Sequence, residues 1–294
     1  MLKSKTELCY NINMLISHET PIGYFNKFEQ QDETLPSTRN WNNYEYALVH
    51  LFETHPDYYE YFARCVANGI EVLLDNSIFE LGTSFNAAKY AKWIDKIQPT
   101  YYIVPDTLND GIETTYQFNE WSNNQYGING MRIGVVHGKT YIEMVECYKY
   151  MKDHADYIAF NFVDDYYKTV GWNKWNDGVL IDHKLQKIAS GRQRLISQLI
   201  DDGIWDENKP HHLLGCVLAR EFSYYREQGI KGIRSCDTSN PIMAALNDQT
   251  YLLEIGLNNK PDGLLADHIN EKYDIDTARL MYYNTHIFKK IVNG

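Results

Sequence analysis

The sequence predicts an α/β protein with a TIM-type (β/α)8 barrel, formed by a single domain over residues 1–294. Short apolar segments of strand type alternate with segments of helical periodicity, which is typical of βαβ units and a parallel sheet. About eight strands can be counted, the number in a TIM barrel. Several of them end at a polar or small residue, at the end of the strand where such barrels place their catalytic groups.

A doubly wound open sheet is the competing architecture, because it shows the same alternation of strands and helices. The glycine-rich loop that binds a dinucleotide phosphate in such sheets follows none of the predicted strands. Gly134 and Gly138 come nearest to that motif but are too sparse for it. The barrel is therefore the favoured fold.

The N-terminal part is predicted to be irregular. Residues 11–16 form a candidate first strand, and residues 17–43 are polar, contain Pro21 and Pro36, and are predicted to form a long loop. A loop of this length is uncommon in a compact domain unless it has a function. Helical periodicity follows over residues 44–68.

Strands and helices alternate regularly from residue 72 onward. The first helix of this part is expected to start near Thr83 or Ser84, whose hydroxyl groups suit a helix N-cap, and to end before Pro99. Residues 163–182 interrupt the alternation and are predicted to be an irregular insertion. The predicted strands cover residues 72–74, 101–104, 132–136, 157–162, 212–216, 232–236 and 251–255, and the predicted helices cover residues 87–97, 110–121, 141–152, 184–202, 220–228, 241–246 and 275–291.

The chain is acidic, with 39 Asp and Glu against 28 Lys and Arg and a formal net charge of −11. A protein of this charge is not a general binder of polyanions, so contact with a nucleic acid requires a local basic strip. The sequence shows no run that is apolar and long enough to span a membrane, and its start lacks the core of a signal peptide. We therefore expect a cytoplasmic protein without a membrane partner.

The sequence contains five cysteines, none of which form a CxxC or other close pair. A cysteine-rich zinc site and a disulfide framework are therefore not expected. The thiols are predicted to be reduced and mostly buried. They belong to Cys9, Cys65, Cys147, Cys216 and Cys236.

Two aspartates at strand ends are the strongest candidates for catalysis. Asp75 follows the strand 72–74, and Asp237 ends the strand 232–236. The strand ends of a barrel meet at one mouth, so one carboxylate can attack a sugar carbon while the other transfers a proton. Either aspartate alone also fits a helix cap, since Pro241 follows Asp237 where a helix start favours proline.

Five short motifs follow one another at the predicted strand ends. They are Asp75-Asn76-Ser77-Ile78-Phe79-Glu80, Val104-Pro105-Asp106, Gly134-Val135-Val136-His137-Gly138, Leu213-Leu214-Gly215 and Ser235-Cys236-Asp237-Thr238-Ser239-Asn240-Pro241. In this order they resemble the tRNA-guanine transglycosylase superfamily, over residues 70–245. They most resemble its compact members that insert 7-deazaguanines into DNA, which are known from bacteriophages and bacterial modification clusters.

The resemblance implies a role for each matching residue. Asp237 matches the nucleophile, Asp75 matches the general base, and Asp106 matches the aspartate that holds the polar edge of a guanine-like base. His137 stands where the family has a glutamine that helps to read the base. Gly215 matches a backbone position that lies against the base.

Two further residues of the first motif, Ser77 and Phe79, are expected to contact the substrate, Phe79 by stacking on a base. Core packing is the alternative for Phe79. His211 and His212, which precede a strand, are expected to make structural or surface contacts. The resemblance implies no cofactor.

The chemistry of the residues fits the resemblance. A carboxylate nucleophile forms a covalent glycosyl intermediate as guanine leaves, and a base then takes a proton from the incoming heterocycle. An ionised Asp106 accepts hydrogen bonds from the amino and ring N–H groups of a guanine edge, which adenine lacks in that arrangement. The predicted reaction exchanges guanine in DNA for a free 7-deazaguanine base, such as 7-cyano-7-deazaguanine.

The sequence departs from the family in two places. The usual Asp-Ser-Gly-Gly-Phe-Gln motif has become a segment in which Ile78 replaces a glycine. The tRNA enzymes carry a C-terminal zinc subdomain with three clustered cysteines and a histidine, whereas this chain has no cysteine after Cys236. We therefore expect no structural zinc, and DNA is favoured over tRNA as the substrate.

A basic and aromatic segment is the predicted nucleic-acid contact. Aromatic residues alternate with lysines over residues 166–175, and further basic residues follow. Stacking combined with phosphate contacts is how proteins hold single strands. An ordinary amphipathic insertion is the alternative. The candidate contacts are Lys168, Trp172, Lys174, Arg192 and Arg194.

Three alternative functions remain open at this point. The polymer substrate can be tRNA instead of DNA. The protein can be a metal-dependent barrel hydrolase with Asp75, Asp106, His137 and Asp237 as ligands. It can also be a base-binding module without catalysis. If a phage encodes the protein, the expected location is the cytoplasm of its host.

Overall fold

The computed structural model describes residues 13–19, 21, 41–124, 126, 129–171, 183–257, 259–269, 271 and 273–294. The strands are β1 (Leu15–His18), β2 (Glu45–Leu48), β3 (Val72–Asp75), β4 (Tyr101–Ile103), β5 (Met131–Val136), β6 (Tyr157–Phe160), β7 (His211–Leu213) and β8 (Ile233–Thr238). All neighbouring strands are parallel, in the order β1-β8-β7-β6-β5-β4-β3-β2. With its surrounding helices, this sheet forms a nearly closed TIM-type barrel, which confirms the predicted fold.

Most of the helices connect consecutive strands and pack on the outside of the barrel. They are α1 (Val49–Thr54), α2 (Pro56–Ala67), α3 (Ile78–Leu81), α4 (Ala87–Ile97), α5 (Gly111–Asn123), α6 (Tyr141–His154), α7 (Asp165–Val170), α8 (His183–Asp201), α9 (Arg220–Glu227), α10 (Asn240–Leu246) and α11 (Ile275–Asn293). A 3₁₀ helix covers Leu265–His268. No helix within the described ranges is long and apolar enough to cross a membrane.

The predicted number of strands is right, but one observed strand was predicted as helix and one predicted strand is absent from the described residues. Strand β2 lies in the region that was predicted to be helical. All its residues are buried, and α1 follows Leu48 without a polar side-chain cap, so no polar residue marks the boundary between strand and helix. Residues 251–255 form only an isolated bridge between Leu252 and Gly256. The predicted strand 11–16 is observed as β1, and Asn11 and Ile12 lie outside the described residues.

Two asparagines join the ends of the sheet where β1 meets β2. The N–H of Asn43 donates to the carbonyl of Ile16 at 2.8 Å, and the Asn43 side-chain oxygen accepts from the Ile16 N–H at 3.0 Å. One residue earlier, the Asn42 side-chain oxygen accepts from the His18 N–H at 2.7 Å. These amides supply bonds that a regular strand pair supplies through its backbone, so they close the barrel.

Strand β5 reaches the barrel mouth under the tightly packed helix α6. A Cβ atom on Gly134 would lie 2.4 Å from the sulfur of Met151 and 3.1 Å from the Cβ of Ala155. A larger residue would have to displace the Met151 side chain and press on Ala155, so glycine favours this approach of α6 to the strand. This close packing fixes the position of β5 relative to α6. His137 directly follows β5 and lies in the interior of the barrel.

The described cysteines are buried free thiols, in agreement with the prediction from their spacing. Cys9 lies outside the described residues. Two of the buried thiols, Cys216 and Cys236, lie on or beside the strand ends that form the site described below.

Candidate active site

One cavity of about 180 Å³ opens at the C-terminal ends of the strands. Its lining includes residues from the ends of β3, β5 and β8 and from the loops that follow β4, β6 and β7. The structure thus brings together five side chains or backbone groups that the sequence places on separate strands. These are Asp75, Asp106, His137, Gly215 and Asp237.

Asp237 is held by two donors. It lies on β8, opposite Ser17 of β1 in the register of the sheet, and is almost fully buried. The backbone N–H of Gly215 lies 3.3 Å from each carboxylate oxygen, and His212 Nε2 lies 3.0 Å from Oδ1. Gly215 has a φ of +63°, so a side chain at this position would strain the loop that delivers this N–H.

A chain of hydrogen bonds continues from Asp237 toward the bottom of the barrel. His212 Nδ1 lies 2.8 Å from the hydroxyl of Ser235, and this hydroxyl lies 2.9 Å from that of Tyr157. His212 is fully buried and was predicted to make only structural or surface contacts. The missing signal is the strand register, which pairs His212 with Ser235 and so turns the ring into the barrel.

Asp75 lies at the end of β3 and accepts two hydrogen bonds. The Tyr46 hydroxyl donates to Oδ2 at 2.7 Å, and the Ser77 N–H donates to Oδ1 at 2.5 Å. Burial raises the pKa of Asp75 well above its usual value, and the charges of Glu80 and Asp106 raise it further against these two donors. A carboxyl group shifted in this direction suits proton transfer near neutral pH.

The turn after Asp75 connects it to Asp106. Asn76 Nδ2 donates to Asp106 Oδ1 at 2.7 Å and to the carbonyl of Val104 at 3.1 Å. Ser77 has a φ of +60°, a backbone conformation that residues other than glycine seldom adopt. Its hydroxyl is buried and accepts a bond from the His50 N–H, so Ser77 supports Asp75 instead of contacting the substrate as predicted.

Asp106, His137 and Asp164 form a buried charged triad. His137 Nε2 lies 2.6 Å from Asp106 Oδ2, and His137 Nδ1 lies 2.9 Å from Asp164 Oδ1. Burial lowers the pKa of His137, but the two carboxylates outweigh it and raise this pKa to about 10. The ring is therefore an imidazolium at neutral pH and donates to both aspartates.

The triad changes the role expected of His137. Because both ring nitrogens bind carboxylates, the ring offers no free polar atom to a ligand and instead orients Asp106. Sequence reasoning missed Asp164, which follows β6 in the segment predicted to be irregular. Its position, a few residues past a strand end, is the one signal that indicates a site residue.

Two further acids line the cavity. Burial raises the pKa of Glu19 well above its usual value, and the charges of Asp237, Glu80 and Asp75 add to this rise. The pKa of Glu80 is raised by its own burial and by Asp237, whereas Lys260 lowers it. Glu19 directly follows β1, so the rule of the strand ends would have found it with the correct strand bounds.

Phe79 lies at the mouth of the same cavity. Its side chain is 50% exposed, and Lys260 Nζ lies 5.6 Å from the centre of its ring. An exposed aromatic face at a cavity mouth can stack on a flat ligand. The position agrees with the predicted stacking and not with packing in the core.

The predicted nucleic-acid strip is only partly at the surface. Arg192 is fully buried, pairs with Glu221 at 2.7 Å, and donates to three backbone carbonyls at strand ends. The prediction that Arg192 binds nucleic acid is therefore wrong, because a guanidinium enclosed in this way cannot reach a phosphate. Trp172 and Lys174 lie outside the described residues.

Lys168 and Arg194 are the members of the predicted strip that the structure describes at the surface. Lys168 Nζ lies 2.5 Å from Asp165 Oδ1, one turn away on α7. Arg194 is exposed on α8, and its guanidinium donates to the carbonyl of Val170 at the end of α7. The two cations therefore lie beside the segment that follows β6.

The described residues contain no group of three or more His, Cys, Asp and Glu arranged to hold a metal ion. The ligand set of the hydrolase alternative includes His137, whose two nitrogens are both bound to carboxylates. A metal ligand needs a free nitrogen lone pair, so this histidine does not fit that set.

The chain was also compared with known proteins. No family model matches the sequence, and no curated protein matches it. What the site can do is therefore judged from its own side chains.

Proposed function

We propose that this protein is a guanine transglycosylase that exchanges guanine in DNA for a 7-deazaguanine, such as 7-cyano-7-deazaguanine. One observation supports this most. Three carboxylates in different surroundings, Asp75, Asp106 and Asp237, line a single cavity at the mouth of the barrel. Nucleophilic attack, proton transfer and base recognition are three tasks for which a base exchange needs one carboxylate each.

The first half of the reaction forms a covalent intermediate. An oxygen of Asp237 attacks C1′ of the target nucleotide, and the bond from C1′ to N9 of guanine breaks. The electron pair of that bond stays on guanine, which takes a proton from the Asp75 carboxyl group. The products are a glycosyl ester on Asp237, free guanine and an ionised Asp75.

The second half restores the enzyme. The Asp75 carboxylate takes the proton from N9 of the incoming 7-deazaguanine, and N9 attacks C1′. The ester bond breaks, and Asp237 leaves as a carboxylate. The N–H of Gly215 and His212 Nε2 are placed to stabilise the returning charge, since bonds to an ionised acceptor are stronger than neutral ones.

Base recognition falls to Asp106. His137 and Asn76 each donate to one of its oxygens, which fixes the plane of the carboxylate. Oδ2 keeps a further lone pair for an N–H group of a guanine-like edge, and the second contact of Oδ1, a long one of 3.5 Å to the Ser84 hydroxyl, is one that an N–H group of the base can replace. Adenine presents an unprotonated ring nitrogen at that edge, which would leave buried acceptors unpaired.

The target base must leave the helical stack to enter this cavity. Phe79 is exposed at the mouth, where its ring can stack on the extruded base or on a neighbour. Stacking is tolerant of sequence, so target selection would come from other contacts.

The test is an exchange assay with two matched variants. The protein is incubated with guanine-containing DNA, or with tRNA, and with 7-cyano-7-deazaguanine; nucleosides are then analysed by mass spectrometry. We expect the modified nucleoside in DNA and release of guanine. Asp237→Asn should form no protein–DNA adduct on a denaturing gel, whereas Asp75→Asn should exchange slowly and still form some adduct.

Each other outcome counts against a specific part of the proposal. Adduct formation by Asp237→Asn but not by Asp75→Asn would reverse the two roles. Modified tRNA without modified DNA would change the polymer. Binding of the base without any exchange would indicate a silent binding module, and loss of activity in a chelator would indicate a metal-dependent hydrolase.

A further inference from the structure

We infer that His212 is a positioning residue for Asp237, which determines the carboxylate oxygen that attacks the sugar. This inference rests on the proposed function. The geometry alone already shows that His212 is bound to the side chain in question, with Nε2 3.0 Å from Oδ1. Neither the strand-end rule nor the family motifs point to this histidine.

The register of two strands puts His212 inside the barrel. His212 of β7 pairs with Ser235 of β8, and Asp237 lies two residues further along β8. Residues two apart on a strand face the same side, so these three side chains share the barrel interior. The preceding residue, His211, faces outward and stacks on Trp205 with ring centres 3.7 Å apart.

The bonding pattern fixes the proton on Nε2. An ionised carboxylate only accepts hydrogen bonds, so a bond between His212 and the Asp237 carboxylate requires a proton on Nε2. On the other side of the ring, the hydroxyl of Ser235 can donate or accept, and Tyr157 supports it at 2.9 Å. The ring orientation is thus held from both sides while the proton on Nε2 stays directed at Asp237.

The two oxygens of Asp237 therefore differ. Oδ1 accepts from both His212 and the Gly215 N–H, whereas Oδ2 accepts, among the described residues, from the Gly215 N–H alone. The oxygen with fewer donors is the better nucleophile, so Oδ2 forms the ester bond and Oδ1 becomes the ester carbonyl oxygen. When the ester breaks, the His212 N–H is in place to stabilise the returning charge on the carboxylate.

The kinetic test compares two substitutions that differ in one donor. His212→Met removes the N–H, and we expect adduct formation to slow about a hundredfold with an unchanged KM for DNA. The acid limb of its pH–rate profile should move to higher pH, because a carboxylate that loses a donor is protonated more readily. His212→Gln places an amide N–H near Nε2 and should stay within about threefold of the wild type.

The control is His211→Gln, which changes the neighbouring buried histidine on the outer face of the same strand. This variant should lose stability without moving the pH–rate profile. If His212→Met and His212→Gln slow the reaction equally, and only in proportion to their loss of folded protein, His212 is structural and the inference is wrong.

A second measurement does not depend on activity. The imidazole nitrogens of the ¹⁵N-histidine-labelled full chain are observed by NMR, with His212 assigned by its absence from His212→Gln. We expect a protonated Nε2; an unprotonated Nε2 would overturn the inference whatever the enzyme does. Absence of base exchange by the wild type would count against the proposed function only.

Discussion

A positive charge lies inside this protein because two carboxylates share it. His137 is fully buried between Asp106 and Asp164, so its charge is balanced by these two carboxylates and not by solvent. Burying an isolated imidazolium would be costly, but two ionised partners at hydrogen-bond distance reverse the balance. The arrangement has a purpose at this position, since it fixes the carboxylate that the proposed function assigns to base recognition.

The charge on His137 makes the stability of the protein depend on pH. Although burial lowers its pKa, Asp164 and Asp106 raise it from 6.5 to about 10. The folded state then binds the proton more tightly than the unfolded state. This contribution to stability is complete below pH 6.5 and is lost as the pH rises from 6.5 to about 10.

His137→Gln tests this dependence, because glutamine can donate to one aspartate but carries no charge. We expect a loss of about 3 to 5 kcal/mol in the free energy of unfolding at pH 6, as for a broken buried ion pair. The loss should shrink as the pH approaches 10, where the wild-type ring also becomes neutral. Urea unfolding followed by circular dichroism between pH 6 and 10 measures both values.

His211→Gln is the matched control for this experiment. Burial lowers the pKa of His211 to about 3, so this ring is neutral in the folded state over the whole range. Its substitution should cost the same free energy at pH 7 and at pH 10. A cost of His137→Gln that stays equally constant would show that His137 is not charged in the folded protein.

At the scale of the element, the barrel depends on two side chains at its seam. Asn43 replaces a pair of strand–strand bonds between β1 and β2, and Asn42 continues the pattern toward His18. The strand that these asparagines position, β1, is paired with the strand of Asp237. A weakened seam should therefore affect the site as well as the fold.

Asn43→Ala removes the side-chain acceptor of the Ile16 N–H. We expect a loss of about 1 to 3 kcal/mol, because a backbone donor is left without its partner. Thermal unfolding gives the shift. Asn124→Ala serves as the control, since Asn124 is exposed at the end of α5 and its amide donates to the carbonyl of Glu120 one turn away on the same helix. An equal loss in both variants would rule out a special role for the seam.

The part of the site that could be predicted from the sequence is the set of charged residues that directly follow an apolar strand. Asp75, Asp106 and Asp237 stand out because a buried apolar run stops at a charged residue, which is visible without a structure. His212 and Asp164 gave no such signal, because their roles depend on strand register and on a loop. Glu19 was missed because β1 ends later than its apolar pattern indicated.

The strands and helices, too, were predictable only in part. The regular alternation from β3 to β8 was predictable because short strands, most of them apolar at their start, alternate with segments of helical periodicity. Strand β2 was not predictable, since it merges with α1 and contains a buried glutamate and tyrosine. The correct number of strands came from two errors of opposite sign, the omission of β2 and the addition of residues 251–255.

At the scale of the whole molecule, the charge works against DNA binding. The net charge is −11, and among the described residues the cavity is lined by several acids and one lysine, Lys260. Any phosphate contact must therefore come from a local group of cations. Lys168 and Arg194 are the exposed cations beside α7 that the proposal assigns to this contact, whereas Arg192 is enclosed in the core.

The ion pair of Lys168 with Asp165 leaves the lysine available to a phosphate. Both side chains are largely exposed, and exposed pairs of this kind contribute little to stability. A DNA strand that enters the mouth near β6 would pass this position. We therefore expect Lys168 and Arg194 to contribute to DNA affinity through phosphate contacts that do not depend on sequence.

The double variant Lys168→Glu/Arg194→Glu tests this expectation. Binding of fluorescent single-stranded DNA should weaken by at least about tenfold at low salt, and the slope of log affinity against log salt should fall by about 2. Binding of free 7-cyano-7-deazaguanine should not change, because neither residue lines the cavity.

Lys149→Glu is the matched control, since Lys149 forms an exposed pair with Glu146 at the same helical spacing on the outer helix α6. Equal weakening by the control would mean that overall charge, and not this position, governs binding; an unchanged salt slope in the double variant would place the DNA on another face of the barrel.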